Sequence, residues 1–378
     1  MLYLDNAATT LRKPLRVYTS FFYNTVFNSV NAGHGGHQYS MRGAVGVYDT
    51  VEALAELLNI DDPEQIAFTY NATYAINLAI RSILRDGDHT VTTCMEHNSV
   101  LRTLYDVGQF TMVDAGKDGT IGPAEIERAI RPETKLIVVS HATNTSGTVQ
   151  NIKRIGKIAK KHGIIFMVDA AQSVGCVDID VKDMGIDVLA FSAHKGLLGP
   201  LGVGVIYVSR DIGLKPVITG GTGSDSKMLA QPGNMPDLFH SGTMNTPAIM
   251  ACKSSVKYLL KRGVENIGAE ERYLAERLIE NLCDMQGVTV YGKKNGNFRN
   301  GTVLFNVGDL DSVTVSEILE KEHGIAVRGG WHCAYQAHKA LGTAENGAVR
   351  ASFGAFDGVR SVERLTDAVY KISKYKAN

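Results

Sequence analysis

Between about residues 65 and 210, short apolar runs alternate with segments that have a helical spacing of apolar residues. The apolar runs are continuous in Val, Ile and Ala, which is typical of strands that are buried on both faces. Repeated strand and helix units of this kind predict an α/β fold with a mostly parallel sheet covered by helices. The predicted strands span residues 65–70, 89–95, 110–114, 135–142, 164–170, 187–194 and 202–209.

Helices are predicted over 72–84 and 151–162, between these strands. The second one has the clearest boundaries, because Asn151 can cap its first turn and Gly163 can end it. Its apolar residues recur on one face, as expected for a helix that covers a sheet.

After about residue 245 the pattern changes to long helices followed by short strands. Helices are predicted over 246–262, 269–285, 313–323 and 361–374, and strands over 302–307, 325–328 and 348–353. We therefore expect a large domain over 15–245. Residues 1–14 and 246–378 are expected to form a smaller α+β domain.

The bulk composition argues against several classes of protein. The 378 residues include 39 Lys and Arg and 39 Asp and Glu, so no strong net charge favours nucleic acid or an anionic membrane. No apolar run approaches the roughly 20 residues that span a bilayer, and the first residues do not resemble a signal peptide. The five cysteines are scattered and form no CxxC pair, which favours a reducing cytoplasm over disulfides or a zinc site.

Four polar segments follow predicted strands, at the edge where open α/β sheets bind ligands. Asn71-Ala72-Thr73 opens a helix, and a helix N-terminus with a threonine hydroxyl suits a phosphate, although a plain helix cap is the more common explanation for such a segment alone. His97 follows the next strand, where a neutral imidazole can stack on a flat ring; the alternative is a surface histidine at a turn.

The other two segments carry charges. Asp169 ends an apolar strand, and a buried carboxylate needs a partner, such as a pyridinium nitrogen, an arginine or a helix N-terminus. Lys195 follows a buried strand in Ser192-Ala193-His194-Lys195, and a desolvated lysine becomes nucleophilic towards carbonyls. Most single lysines are only solvated surface charges. Together, however, the four segments supply the parts that pyridoxal 5'-phosphate requires.

The sequence resembles the class V aminotransferase-like pyridoxal-phosphate enzymes, and within them the cysteine desulfurases related to NifS, IscS and SufS. The resemblance runs from the segment Tyr3-Leu4-Asp5-Asn6-Ala7-Ala8 to Val349-Arg350-Ala351-Ser352-Phe353. It includes Glu96-His97-Asn98, Val168-Asp169-Ala170-Ala171-Gln172, Ser192-Ala193-His194-Lys195, Ser241-Gly242-Thr243 and Arg328-Gly329-Gly330-Trp331-His332-Cys333. It implies the type I fold of pyridoxal-phosphate-dependent transferases.

The resemblance implies a role for each matching position. Lys195 would hold the cofactor covalently, and Thr73, Ser192, His194 and the Ala72 backbone would bind its phosphate. Asp169 would pair with the ring nitrogen, Gln172 would contact the ring hydroxyl, and His97 would stack on the ring and act with Lys195. Asn144 and Arg350 would bind the substrate carboxylate. Thr243 would reach the partner subunit's phosphate, which implies a homodimer.

Cys333 is the expected sulfur nucleophile. A lone cysteine is usually a small buried hydrophobe, but this one lies in a Gly-Gly-Trp-His loop near Arg328, and positive neighbours favour the reactive thiolate. The resemblance implies that Cys333 takes sulfur from L-cysteine as a persulfide and passes it to an acceptor protein, as in iron–sulfur cluster assembly. A metal site at His332, Cys333 and His338 is not expected, because no fourth ligand is visible.

Two positions depart from the family pattern. The segment 31–37 has His34 where relatives usually carry Arg, and Trp331 lies where His or Leu is common. Asn31, His34 and Trp331 are therefore candidates for the border of the substrate pocket. Selenocysteine lyase is the nearest alternative activity. Another class V reaction and a non-catalytic cofactor-binding regulator are further alternatives, which the Cys333 loop disfavours.

Overall fold

The computed structural model describes residues 1–33, 35–210 and 212–374. A short strand and two helices precede the main sheet: β1 (Leu2–Tyr3), α1 (Leu15–Phe27) and α2 (Gln38–Leu58). No helix is predicted above for this region. In α1 only Val17 and Asn24 are buried, so its many aromatic residues do not form a core-facing stripe.

The main sheet has seven strands, and it contains all seven predicted ones with ends that differ by at most two residues. They are β2 (Ile66–Thr69), β3 (His89–Thr93), β4 (Gln109–Val113), β5 (Thr134–Ser140), β6 (Ile165–Asp169), β7 (Val188–Ser192) and β8 (Gly204–Val208). The spatial order is β2-β8-β7-β6-β5-β3-β4. Only β8 runs against its neighbours, so the prediction of a mostly parallel sheet is confirmed.

Four helices connect these strands: α3 (Ala72–Ile83), α4 (Asn98–Val107), α5 (Pro123–Arg128) and α6 (Ile152–His162). As predicted, the Asn151 side chain caps α6 by accepting a hydrogen bond from the Arg154 backbone N–H at 3.2 Å, and Gly163 ends it with a φ of +64°. The core between sheet and helices includes the fully buried Phe166 and Phe191.

The remaining elements are α7 (Thr246–Arg262), α8 (Val264–Cys283), β9 (Val288–Tyr291), β10 (Thr302–Val307), α9 (Ser312–His323), β11 (Ile325–Ala326), α10 (Tyr335–Leu341), β12 (Val349–Ser352) and α11 (Val359–Lys374). Two of them, β9 and α10, were not predicted, and α8 begins five residues before its predicted start. None of the helices among the described residues is long and apolar enough to cross a membrane.

The C-terminal strands form a separate antiparallel sheet of order β12-β10-β9, while β1 pairs in parallel with β11. One core cluster joins Leu4 to residues between Leu274 and Ile372. These contacts support the assignment of the first residues to the smaller domain. The division at residues 14 and 245 stays a prediction.

Gly156 provides a test of how α6 packs. A Cβ at this position would lie 2.0 Å from the carbonyl oxygen of Met184, which is backbone and cannot move aside cheaply. We expect Gly156→Ala to lower the free energy of unfolding by about 2 kcal/mol, measured by urea unfolding. Lys157→Ala, at the next and exposed position, is the control and should change it by less than about 0.5 kcal/mol. Equal midpoints for the two variants would contradict this packing.

Candidate active site

The carboxyl ends of β2, β3, β5, β6 and β7 meet at one edge of the sheet, because these strands all run in the same direction. They border a cavity of about 690 Å³. Nine of the predicted site residues line it. Five follow β2, β3, β5 and β6: Ala72, Thr73, His97, Asn144 and Asp169. The other four are Gln172, Ser192, His194 and Lys195.

One end of the cavity is built at the N-terminus of α3. The Ala72 backbone N–H donates to Ser192 Oγ at 2.8 Å, and the Thr73 hydroxyl lies 2.8 Å from Ser99 Oγ. Asn71 does cap the helix, so the helix-cap interpretation is also correct. His194 Nδ1 is buried and has no hydrogen-bond partner among the described residues. Hydroxyls, a helix N-terminus and an unpartnered ring nitrogen fit a phosphate group.

The orientation of His97 is set by Ser99. The Ser99 N–H donates to His97 Nδ1 at 3.1 Å and the Ser99 hydroxyl lies 2.7 Å from the same atom. Because Nδ1 accepts a hydrogen bond, a neutral His97 carries its proton on Nε2. Burial, and then the positive charge of Lys195, lower the pKa of His97 to about 4. His97 is therefore a neutral ring at physiological pH, as stacking on a cofactor requires.

Asp169 and Lys195 face the same cavity and act on each other. Burial raises the pKa of Asp169, while the Ala171 N–H, 2.9 Å from its Oδ1, and the charge of Lys195 lower it. Burial lowers the pKa of Lys195 to about 8, although Asp169 opposes that shift. The Asp169 carboxylate needs a cationic partner, which a protonated pyridine nitrogen would supply. The Lys195 amine is partly neutral at pH 7, and only a neutral amine reacts with an aldehyde.

Arg350 is 1% exposed and is held by groups from distant segments. Its Nη2 lies 2.6 Å from Asp5 Oδ1, and its Nη1 donates to the Asn144 carbonyl at 2.9 Å. Its Nε is buried and has no partner among the described residues. A buried guanidinium with an unused donor fits a carboxylate ligand.

Cys333 is exposed in the loop between β11 and α10, and the sulfur lies 3.8 Å from Arg328 Nη2. The Asn98 backbone N–H donates to the Cys333 carbonyl at 2.8 Å, which ties the loop to the residue after His97. A negative charge on Cys333 opposes the lowering of the Lys195 pKa. The cysteine therefore lies within electrostatic reach of the cavity.

Four of the predicted residues that the structure describes do not line this cavity: Arg350 and Cys333, whose contacts are given above, and Thr243 and Asn31. Thr243 is exposed and borders a second cavity of about 590 Å³ together with Tyr70 and Tyr74. Asn31 is exposed before α2, where its carbonyl accepts a hydrogen bond from the Ser40 hydroxyl at 2.9 Å. His34 lies outside the described residues. Their predicted roles stay predictions.

Several residues of the site were not singled out from the sequence. Ser99 aligns Thr73 and His97, and Asp5 pairs with Arg350. Glu96 is fully buried, and its carboxylate accepts hydrogen bonds from Thr93 and from Ser140, a residue of the cavity wall. Burial raises the pKa of Glu96 to about 7. A charged residue close after a strand that is buried along its whole length was the signal that could have drawn attention to Glu96.

Comparisons with known proteins agree on the family. The family model for class V aminotransferases matches residues 2–365. The chain is 33% identical to a probable cysteine desulfurase of Pyrococcus abyssi over 99% of its length and 94% of that protein. It is also 33% identical to a cysteine desulfurase of Haloferax volcanii, over 98% of this chain and 88% of that one.

A solved apo structure of a cysteine desulfurase from Thermococcus onnurineus has a TM-score of 0.93 and 31% identity, covering 99% of this chain and 95% of that chain. The predicted fold is thereby confirmed as the type I fold of pyridoxal-phosphate enzymes. The chain belongs to the class V aminotransferase family.

Proposed function

We propose that this protein is a cysteine desulfurase that uses pyridoxal phosphate to convert L-cysteine into L-alanine and takes the sulfur onto Cys333. The observation that carries the proposal is the position of an exposed thiol beside the Arg328 guanidinium and within electrostatic reach of Lys195. The relatives that match this chain over nearly its full length are named cysteine desulfurases, and this supports the proposal.

The cofactor would be held by residues that already line the cavity. Lys195 would bind it covalently, and Thr73, Ser192, His194 and the Ala72 N–H would surround its phosphate. Asp169 would face the ring nitrogen, Gln172 the ring hydroxyl, and neutral His97 the ring face. When bound, pyridoxal phosphate withdraws electrons from the substrate, so that the proton on its α-carbon becomes acidic.

The substrate carboxylate would bind to Arg350, whose buried guanidinium keeps one donor unused. Asn144 contributes to the same place, because its carbonyl holds Arg350 and its side-chain amide donates to the His332 carbonyl at 2.6 Å. Lys195 would take a proton from the substrate, because burial lowers the pKa of its amine to about 8 and leaves it partly neutral near neutral pH.

The sulfur step is balanced without any further reagent. Cys333 Sγ attacks the substrate sulfur, the new S–S bond forms, and the substrate C–S bond breaks with its electron pair remaining on carbon. That carbon then takes a proton, so L-cysteine and the Cys333 thiol give L-alanine and a Cys333 persulfide. Arg328 stabilises the negative charge on the attacking sulfur.

We infer that the protein is a twofold homodimer. The described part of α1 exposes a set of large apolar side chains: Leu15, Tyr18, Phe21, Phe22, Tyr23, Val26 and Phe27. Exposed Tyr70 and Tyr74 lie beside Thr243, the residue proposed to reach the partner's cofactor phosphate. An exposed surface with so many large apolar side chains favours burial against a second copy of the chain.

We also infer a reducing compartment, the cytoplasm, and an acceptor protein that collects the sulfur. All five cysteines are free, and three of them are buried. Cys333 is exposed, so a persulfide on it would be accessible to the thiol of a partner.

Substitution of Cys333 tests the sulfur step. We expect Cys333→Ala to bind pyridoxal phosphate normally but to lose persulfide and sulfide production from L-cysteine on the order of a hundredfold or more, because the other exposed cysteine of the described residues, Cys283, ends α8 and does not line the cavity. Persulfide is measured by a thiol-labelling mass shift, and alanine by chromatography. Cys283→Ala, which removes the other exposed cysteine, is the control and should retain the parent rate. A Cys333→Ala variant that releases sulfur at the parent rate would make the protein a simple β-eliminating lyase.

The pKa of Lys195 predicts how cofactor capture depends on pH. Only the neutral amine attacks an aldehyde, and with a pKa of about 8 roughly a tenth of the Lys195 side chains are neutral at pH 7. We expect the rate at which the apoprotein captures pyridoxal phosphate to rise with pH and to reach half its maximum near pH 8. Borohydride reduction followed by peptide mapping should locate the cofactor on Lys195. A midpoint near the ordinary lysine pKa, or an adduct on another lysine, would refute the assignment.

The dimer is tested by placing a charge on α1. Phe22 is 69% exposed, so Phe22→Glu leaves the core intact but puts a carboxylate into the proposed interface. We expect the parent to be a dimer by light scattering at micromolar concentration and the variant to be a monomer. Tyr370→Glu, at an exposed position of α11, is the control and should remain dimeric. A parent protein that is monomeric and holds its cofactor would contradict the proposal.

A further inference from the structure

The loop that carries Cys333 has an unusual backbone. His332 and Cys333 have φ values of +51° and +58°, so two consecutive residues with side chains adopt the left-handed conformation. Such residues persist only where the surrounding contacts hold them. The contacts of the loop therefore hold the Cys333 backbone and limit the positions that its sulfur can reach.

A buried chain of hydrogen bonds lies behind this loop. His332 Nε2 is 3.0 Å from the Arg328 carbonyl, and His332 Nδ1 is 3.1 Å from His338 Nε2. His338 Nδ1 is 2.7 Å from the Thr343 hydroxyl. The two imidazole rings are stacked with 16° between their planes, and all three of these side chains are buried.

Hydrogen-bond chemistry allows one arrangement of protons in this chain when both rings are neutral. A carbonyl only accepts, so His332 Nε2 must donate to Arg328 and His332 Nδ1 must accept. His338 Nε2 is then the donor to His332, and His338 Nδ1 accepts from the Thr343 hydroxyl. Burial lowers the pKa of His338 to about 4 and that of His332 in the same direction, and the charge of Arg350 adds to both effects. Both rings are therefore neutral near pH 7.

We propose that His338 is a positioning residue for the sulfur nucleophile: it holds the His332 ring on the Arg328 carbonyl, which belongs to a backbone paired with Arg350, and thereby keeps Cys333, the next residue, beside the Arg328 guanidinium. His338 lies on α10 and Thr343 lies two residues after its end, and neither lines the cavity. Their part in catalysis is indirect. This inference rests on the proposed function for its kinetic effect but not for its effect on thiol reactivity.

The central test compares two substitutions of His338 in the holoenzyme. His338→Leu removes the donor and leaves His332 Nδ1 buried without a partner, whereas His338→Gln keeps a side-chain N–H near the position of Nε2. We expect the rate at which iodoacetamide alkylates Cys333 to fall about tenfold in His338→Leu and to stay near the parent rate in His338→Gln. With L-cysteine, kcat should fall in parallel while KM and the cofactor absorbance stay unchanged.

Two further variants separate positioning from folding. Thr343→Val removes only the outer donor and should produce a smaller decrease in the same direction, with an unchanged melting temperature. Gln336→Leu, on the same helix but not fully buried, is the matched control and should match the parent. If His338→Leu fails to fold, the alkylation rates of Thr343→Val and Gln336→Leu are compared instead. A slower rate in Thr343→Val supports the positioning role, and equal rates contradict it.

Two results would overturn the proposal: alkylation that is unchanged in both His338→Leu and Thr343→Val, or a His338→Gln variant that is as slow as His338→Leu. The alkylation measurement needs no L-cysteine. If it follows the expected order while the parent releases no sulfur from L-cysteine, then the proposed function fails and the positioning role stands.

Discussion

The guanidinium of Arg350 is a buried charge that the rest of the site is built around. A charge removed from water must be paired and hydrogen-bonded, or it destabilises the fold by several kcal/mol. Its partners are Asp5, 345 positions earlier in the chain, and the carbonyl of Asn144, which follows β5. The N-terminal segment, the main sheet and the C-terminal sheet therefore meet at this residue. Of these partners, Asn144 also lines the cavity that contains Lys195.

The same charge, with Lys195 and Arg328, adds to the effect of burial on the protonation of the surrounding histidines. Burial is the first cause of the lowered pKa values of His97, His332 and His338, and nearby cations lower them further. Neutral rings can stack and accept hydrogen bonds, while the cations attract a substrate that carries a carboxylate. One cluster of positive charge thus keeps its neighbours uncharged and, in the proposed function, would also bind the substrate carboxylate.

The sheet and most of the cavity could be predicted from the sequence because both depend on local patterns. Continuous apolar strands predict a parallel sheet, and the polar residues that follow such strands must lie together at one edge of the sheet. The pairing of Asp5 with Arg350 has no local signal, since it joins segments at opposite ends of the chain. Helix α1 was missed because its aromatic residues are exposed rather than arranged towards a core. The stacking of His332 on His338 depends on the left-handed backbone of His332 and Cys333. Neither position has a glycine, so the sequence does not indicate this turn.

The geometry of the Cys333 loop fits two requirements of the proposed sulfur carrier, a fixed backbone and an exposed thiol. The loop backbone is held in a fixed position beside the cavity by two hydrogen bonds. Asn144 Nδ2 donates to the His332 carbonyl, and the Asn98 N–H donates to the Cys333 carbonyl. Both donors belong to segments that follow strands of the main sheet, the same sheet that carries Lys195. Because both anchors act on carbonyl oxygens, they hold the backbone and leave the Cys333 side chain its rotamers. A thiol held in this way stays within a limited distance of the cavity. Its exposed sulfur would at the same time be accessible to an acceptor.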